Sequence, residues 1–131
     1  MSYMSWQPRR ARLSNIDFLA RYDYLGLRHL VTQGCIFDQE LLYDKFPNEL
    51  LPFDFDEYFR NRTVFEMVTT NCLTGGAMYL TEKNDKQRTL DLVRASSSLP
   101  FVSKIVNVDG IPMLDGGIVD SIPVQRAIDT G

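Results

Sequence analysis

The sequence has little of what a histidine-dependent enzyme or a zinc protein needs. It contains one histidine, His29, and two cysteines, Cys35 and Cys72, which are not in C-x-x-C spacing. A Ser-His-Asp or Cys-His site within this chain would have to use His29, and a structural zinc site needs about four Cys or His ligands. We therefore expect no metal and no other cofactor, and we interpret His29 as a surface or packing residue.

Long apolar runs and a surplus of positive charge are also absent. The longest apolar run is four residues, Ala77 to Leu80, so no transmembrane segment is predicted. Lys plus Arg is 14 and Asp plus Glu is 17, a net charge of -3, which argues against nucleic acid as the main partner. There is no apolar core of a secretory signal, and Cys35 and Cys72 are expected to be free, buried thiols. These features favour a cytoplasmic protein, with peripheral attachment to a membrane left open.

The chain is long enough for one domain or a piece of a larger one. It has 131 residues, of which 44% are apolar and 24% charged, so a packed core is possible. Residues 1–62 read as loops and short helices, and residues 63–131 as mixed strands and helices. We therefore predict an α/β fold in which a helical segment (1–62) and an α/β segment (63–131) form one incomplete domain.

Capping residues mark three helix starts in the first half. Ser14, Asp38 and Asp54 each precede apolar residues at helical spacing, and their side chains can accept from the first free backbone N–H groups. Gly34 is predicted to end the first helical region, and Pro47 the second.

The second half alternates between strand and helix signals. Asp109-Gly110 lies between two apolar segments and predicts a tight hairpin, because both positions tolerate positive φ. The other predicted elements are strands over 63–70 and 77–80, a helix over 89–98, and a final helix that begins near Pro123.

The segment with the clearest chemical signal is Leu114-Asp115-Gly116-Gly117. An aspartate directly after an apolar strand lies at a sheet edge, where its carboxylate can face a cleft. The two glycines leave space for another group to approach that carboxylate, which a general base requires. The same triplet is also typical of a plain Asp-Gly turn, so the residues alone leave both interpretations open.

The surroundings of this triplet resemble the patatin-like phospholipase family. That family shows an A-S-x-x-x-P helix end followed by an apolar-D-G-G-apolar-x-[DN] run and a Pro-Val pair. These are matched here at residues 95–100, 114–120 and 123–124. Residues 68–76 resemble the strand and Thr-Gly turn that precede them. The resemblance is most specific over residues 63–131, which suggests the C-terminal part of the patatin domain of the bacterial type.

The resemblance implies a three-layer fold, with helices around a mixed sheet, and hydrolysis of lipid acyl esters by a Ser-Asp dyad. Asp115 occupies the position of the dyad aspartate, and Gly116 and Gly117 shape its turn. The implied partner is a lipid or acyl-ester substrate, and no histidine is required.

The chain departs from the family in lacking the G-x-S-x-G nucleophile motif and the Gly-rich oxyanion loop. We interpret Ser96, Ser97 and Ser98 as a polar helix end and not as nucleophiles. The sequence is therefore expected to be a truncated protein, inactive alone and prone to self-association through its cut sheet. The alternative is a non-catalytic interaction or regulatory module derived from the same family.

Three further patterns have simpler explanations than a second site. Asp129-Thr130-Gly131 matches the aspartic-protease triplet but follows a predicted helix. Asp109, Asp115 and Asp120 would suggest a calcium cluster, but they lack EF-hand spacing and are interpreted as solvated turn residues. The aromatic residues of the first half are interpreted as packing residues, with lipid contact as the alternative; they are Phe53, Phe55, Tyr58 and Phe59.

Overall fold

The structure, a computed structural model, describes residues 7–18, 20–22 and 25–131. Helices precede a region of strands and helices, which confirms the α/β class. The first part contains α1 (Arg10–Arg12) with a π-helical extension (Leu13–Phe18), α2 (Leu27–Gln33), a π-helix (Leu41–Leu50) and α3 (Phe55–Arg60). The second contains β1 (Met67–Asn71), β2 (Ala77–Leu80), α4 (Lys86–Ser96), β3 (Val106–Val108), β4 (Ile111–Asp115), a 3-10 turn (Gly116–Ile118) and α5 (Val124–Thr130).

Two predicted helix caps and one predicted helix end are confirmed. The carboxylate of Asp38 accepts from the N–H of Leu41 (3.0 Å), and that of Asp54 accepts from the N–H of Glu57 (2.9 Å). Gly34 ends α2 in the left-handed conformation, with φ of 72°.

Two other boundaries are wrong. Ser14 lies inside a helical segment, where its hydroxyl donates to the carbonyl of Ala11 (3.1 Å) instead of capping. Pro47 lies within the π-helix and does not end it. Burial of Phe46 and Pro47 fixes this turn, and the carbonyl of Phe46 accepts from the N–H of Leu51 (3.0 Å), a bond that does not need the missing N–H of proline.

The four strands form one sheet in the order β2-β1-β4-β3, and all three pairings are antiparallel. Thr69 of β1 lies opposite Met78 of β2 on one side and Asp115 of β4 on the other. The predicted strand over residues 63–70 begins later than expected, at Met67. Its partner there is Leu80, the last residue of β2, so residues before Met67 have no strand beside them.

The hairpin between β3 and β4 is confirmed. Asp109 and Gly110 have φ values of 54° and 80°, which is the two-residue turn with positive φ at both positions. The turn is held to α4 because the guanidinium of Arg88 contacts the carboxylate of Asp109 at 2.7 Å.

The main core lies between α4 and one face of the sheet. Leu92 and Ala95 of α4 are fully buried against β-strand side chains of that face. On the opposite face Tyr79 contacts Asp120 and Arg126, which belong to the segment after β4. The sheet is therefore contacted from both faces. The buried strand residues of the core are Met67, Val106, Val108 and Met113.

The single histidine and one of the two cysteines are buried in the structure. His29 was interpreted as a surface or packing residue, and its burial supports the packing alternative. Cys35 is buried as expected, but Cys72 is exposed because it lies in the turn after β1; both are free thiols.

Over the described ranges, no helix combines the length and the apolar character needed to cross a bilayer.

A hydrogen-bond network around Glu82 holds the start of α4. One oxygen of Glu82 accepts from the N–H groups of Lys83, Asn84 and Asp85 at 2.8, 2.8 and 3.2 Å. The other oxygen accepts from Arg88 at 2.6 Å. These bonds, above all that from the N–H of Asn84, lower the pKa of Glu82 to about 2 from 4.5.

We expect Glu82→Gln to lower the free energy of unfolding at pH 7 by about 1–2 kcal/mol, because charge-assisted bonds are lost. Since the pKa of Glu82 is depressed in the folded state, its contribution is complete above about pH 5 and disappears as the pH falls towards 2. Urea unfolding followed by circular dichroism at several pH values measures this. Glu49→Gln, at an exposed carboxylate, is the control, and a Glu82→Gln deficit that does not change with pH would contradict the assignment.

Candidate functional site

Asp115 is held through its main chain at the end of β4. Its N–H donates to the carbonyl of Ser98 (2.9 Å), and its carbonyl accepts from the hydroxyl of Thr70 (2.7 Å). Strand pairing also sets it opposite Thr69 of β1. The Asp115 backbone is thus fixed between β1 and the end of α4, which leaves only the side-chain torsions to orient the carboxylate.

The carboxylate of Asp115 has one oxygen engaged. Oδ1 accepts from the N–H of Gly117 at 2.6 Å and so caps the 3-10 turn. Within the described part of the chain, Oδ2 has no hydrogen-bond partner and neither oxygen forms an ion pair. The residue is partly exposed. One carboxylate oxygen is therefore oriented by the protein while the other stays available to accept a proton.

Both glycines of the triplet have a close neighbour where a side chain would begin. A Cβ on Gly116 would lie 2.4 Å from the carbonyl oxygen of Val68, because the chain crosses β1 closely here. A Cβ on Gly117 would lie 2.9 Å from Oδ1 of Asp115 and would crowd the carboxylate away from the N–H that holds it. The first glycine thus serves the packing of the turn, and the second serves the orientation of Asp115.

A cleft of about 350 Å³ lies beside the carboxylate. It opens between the start of β1, the end of α4 and the turn after β4. Its walls combine apolar side chains with hydroxyl groups, so it can accept an apolar group next to a polar one. Its lining includes Phe65, Met67, Val68, Val93, Ser96 and Ser97.

Two other carboxylates border this cleft, and both are engaged by side chains. Asp120 accepts from the hydroxyl of Tyr79 at 2.5 Å, which raises the pKa of that tyrosine. Glu66 accepts from Arg126 at 2.6 and 3.0 Å, and these bonds lower the pKa of Glu66. Of the three acidic residues on the cleft, Asp115 is the one bound by a backbone N–H instead of a side chain.

The three aspartates considered as a calcium cluster have different partners. Asp109 pairs with Arg88 in the hairpin, whereas Asp120 and Asp115 have the partners given above. In the ranges that the structure covers, no three His, Cys, Asp or Glu side chains are grouped to hold a metal ion.

The serines after Ala95 end a helix, as interpreted. The hydroxyl of Ser97 donates to the carbonyl of Val93 (2.9 Å), and that of Ser98 donates to the carbonyl of Arg94 (2.7 Å). Ser98 is fully buried. Their hydroxyl protons satisfy carbonyl groups of the last turn, which is a structural use of these side chains.

The remaining motifs also have local partners. Asp129 lies in α5 and accepts from the side-chain amide of Gln125 (2.8 Å), so the D-T-G triplet is a helix end. The aromatic residues around α3 pack on one another with ring centroids 4.8 to 6.1 Å apart, which supports the packing interpretation.

Sequence reasoning missed Thr70 and Ser98, the two residues that fix the Asp115 backbone. Thr70 is 45 positions from Asp115, and their contact depends on the β1–β4 register. The paired threonines at the end of a strand were the available signal, but no local pattern specifies which strand lies beside them.

Comparison with known proteins decides the family. The profile of the family described as Patatin-like phospholipase matches residues 3–128. The chain belongs to this family. The match covers nearly the whole chain, including the helical first half, and the family is generally one of phospholipase- and esterase-type hydrolases.

A relative from Escherichia coli (strain K12), the uncharacterized protein YjjU, shares 51% identity with this chain over 47 residues. Those residues are 35% of this chain and 13% of that protein, so the match spans a small part of the relative's length.

The two glycines give a paired prediction. Gly116→Ala places a methyl group against the backbone of β1, which cannot move cheaply, so we expect a loss of about 2–3 kcal/mol in the free energy of unfolding. Gly117→Ala meets only the movable carboxylate of Asp115, so stability should change by less than about 1 kcal/mol.

Urea denaturation measures the two stabilities, and the carboxyl carbon shift of Asp115 in NMR spectra reports the orientation of its side chain. We expect that shift to change in the Gly117→Ala protein. Equal stability losses in both variants would contradict the distinction.

Proposed function

We propose that this chain carries the general base of a serine acyl hydrolase that cleaves lipid esters. Asp115 is the aspartate of the Ser-Asp dyad, and Gly116 and Gly117 shape its turn. Family membership supplies the class of reaction. The observation that carries the proposal is the Asp115 carboxylate, which borders a cleft with one oxygen held by the N–H of Gly117.

The proposed mechanism uses this carboxylate twice. As the serine hydroxyl attacks the ester carbonyl carbon, Asp115 takes the hydroxyl proton and passes it to the oxygen of the leaving alcohol. It next takes a proton from water, which attacks the acyl-serine, and returns that proton to the serine oxygen as the bond breaks. A base in this role must lie within hydrogen-bond reach of the serine hydroxyl, so an anchored carboxylate is favoured over a mobile one.

No G-x-S-x-G motif is present among these 131 residues. We propose that the chain holds the base of the dyad without the nucleophile and is inactive alone. The free thiols of Cys35 and Cys72 support a cytoplasmic location, which fractionation of the source cells tests.

We also propose that residues 1–62 and 63–131 are parts of one incomplete domain. Polar contacts between the two segments support this. The guanidinium of Arg94 donates to the side chain of Gln39 at 2.6 Å, and the hydroxyl of Tyr58 donates to the carbonyl of Glu82 at 3.2 Å. One unfolding transition in the urea series, seen by every probe, is the result that a single domain requires.

The test of the base is Asp115→Asn in a protein that joins this chain to a G-x-S-x-G segment. Asparagine can still accept from the N–H of Gly117, so the fold should be kept. We expect kcat/KM for a short-chain ester to fall about 10²–10⁴-fold, because base catalysis is lost.

The matched control is Asp120→Asn, which alters a carboxylate on the same cleft that is bound to Tyr79. Its kcat/KM should stay within a few-fold of the parent protein. Near-normal turnover by Asp115→Asn would reject the assigned role.

A second candidate function is a non-catalytic interaction module, favoured by the apolar surface after β4. Ile122, Val124 and Ile128 are 77%, 56% and 68% exposed, and Val124 and Ile128 are one helical turn apart. In the described sheet β2 and β3 are edge strands, which can also pair between molecules.

We therefore expect self-association of the 131-residue chain that increases with concentration in sedimentation velocity. The double substitution Val124→Ser with Ile128→Ser should shift the association equilibrium towards monomer, because less apolar surface is buried on association. Serine at Leu73, an exposed residue of the β1–β2 turn, is the control. A monomer at every concentration would contradict the prediction.

A further inference from the structure

A polar cavity of about 460 Å³ lies between the helical segment and α4. The α4 wall consists of Gln87, Leu90, Asp91 and Arg94, whose spacing places them on one face of that helix. The other wall is formed mainly by residues between α2 and the first turns of the π-helix. In the described structure, the cavity and the Asp115 cleft share no lining residue. Its volume is within the range of small-molecule binding sites.

A buried amide in the lining has an unused donor. Gln39 is 3% exposed, and its side-chain oxygen accepts from two nitrogens of the Arg94 guanidinium, at 3.2 and 2.6 Å. Because a guanidinium only donates, this oxygen must face Arg94, and the amide nitrogen of Gln39 must point elsewhere. That nitrogen has no hydrogen-bond partner in the part of the chain that the structure describes. A buried donor without a partner is unfavourable, so its position in the lining indicates an acceptor supplied by a ligand.

Two carboxylates of the lining have only neutral partners. The carboxylate of Asp44 accepts from the side-chain amide of Asn48 at 2.9 Å. The carboxylate of Asp91 accepts from the side-chain amide of Gln87 at 3.2 Å. Within the described ranges neither carboxylate forms an ion pair, so both negative charges are available to a cationic group.

Two cations of the lining balance these carboxylates. Arg94 and Lys104 both line the cavity, and neither forms an ion pair with a described residue. The third acidic residue of the lining, Glu40, is paired with Lys45 at 3.1 Å. Two negative and two positive charges are therefore uncompensated among the described lining residues. A ligand that carries one charge of each sign complements them better than a ligand with a net charge.

The neutral part of the lining suits a short hydrocarbon chain between two charged groups. Leu90 and Cys35 are both buried and both line the cavity. On the cationic side, the planar guanidinium of Arg94 lies beside the amide of Gln39. Planar donors in this arrangement match the two oxygens of a carboxylate.

We propose that this cavity binds a small zwitterion with an ammonium group and a carboxylate, such as an amino acid. The ammonium group is held by Asp44 and Asp91. The carboxylate is held by Arg94, Lys104 and the amide nitrogen of Gln39. The site uses no residue of the Asp115 cleft, so the inference does not depend on the proposed acyl hydrolysis.

The experiment is a calorimetric titration of the 131-residue chain with γ-aminobutyrate and with glycine, which carry the two charges at different separations. The matched ligand controls are n-butylamine and butyrate, which carry one charge each. We expect one of the zwitterions to bind at least about tenfold more tightly than either control, because each control lacks one set of charge-assisted bonds. Added NaCl should weaken this binding, because partly exposed charges are screened.

Substitutions assign the two charges of the ligand to the two sets of residues. Asp91→Asn can still accept from Gln87, so its melting temperature should stay near that of the parent chain. Its affinity for the zwitterion should fall about tenfold, without any loss of butyrate binding. Lys104→Gln should weaken zwitterion binding about fivefold without any loss of butylamine binding. The control is Glu49→Gln, which alters the same π-helix as Asp44 outside the cavity lining and should bind as the parent chain does.

The proposal would be overturned if neither zwitterion gave saturable binding, or if the single-charge controls bound equally well. Unchanged affinity in both Asp91→Asn and Lys104→Gln, or an equal loss in Glu49→Gln, would also reject it. Phosphoethanolamine presents a phosphate in place of the carboxylate. Tighter binding of phosphoethanolamine than of both amino acids would overturn the choice of a carboxylate as the anionic group.

Discussion

The pairing of β1 with β4 is the constraint on which the site depends. It aligns Thr70 with the end of β4, so that the threonine hydroxyl reaches the carbonyl of Asp115 at 2.7 Å. The carbonyl of Ser98, at the end of α4, meets the other side of the same residue at 2.9 Å. Two elements far apart in sequence thus fix one backbone position, and the carboxylate needs only a short turn to be oriented. Groups held in this way keep their geometry without a rearrangement during reaction.

The rest of the fold keeps this arrangement in place. Arg88 joins three parts of the chain, since its guanidinium contacts Glu82 before α4 at 2.6 Å and Asp109 in the hairpin at 2.7 Å. Both contacts raise the pKa of Arg88. The hairpin carries β4, so the ion pairs that hold it to α4 also limit movement of the strand that ends in Asp115.

Local signals in the sequence were sufficient at several positions where one or two residues decide the geometry. Asp109-Gly110 predicted its hairpin because few residue pairs adopt two positive φ values. Asp38 and Asp54 predicted helix starts because their side chains satisfy backbone N–H groups three residues on. The helix end predicted at Pro47 was wrong because that prediction takes no account of burial. Here buried neighbours maintain a turn in which the proline N–H is not needed.

Contacts between distant residues could not be predicted in the same way. The D-G-G triplet indicated a carboxylate with space around it. It did not indicate that the backbone of Val68 leaves no room for a side chain at Gly116, or that the hydroxyl of Thr70 donates to the carbonyl of Asp115. Those facts follow from register, which depends on the whole sheet. Cys72 was expected to be buried because free cysteines usually are, although the predicted strand already ended before it.

The alternation of side chains along β4 has one more consequence. Asp115 has the same parity as Met113, so the carboxylate emerges on the side of the sheet that α4 covers. The register of β4 against β1 sets which face Asp115 occupies. A slip of β4 by one residue against β1, without changing a chemical group at the cleft, would turn the aspartate to the reverse side of the sheet, so in this chain strand register is as much a determinant of the chemistry as the carboxylate itself.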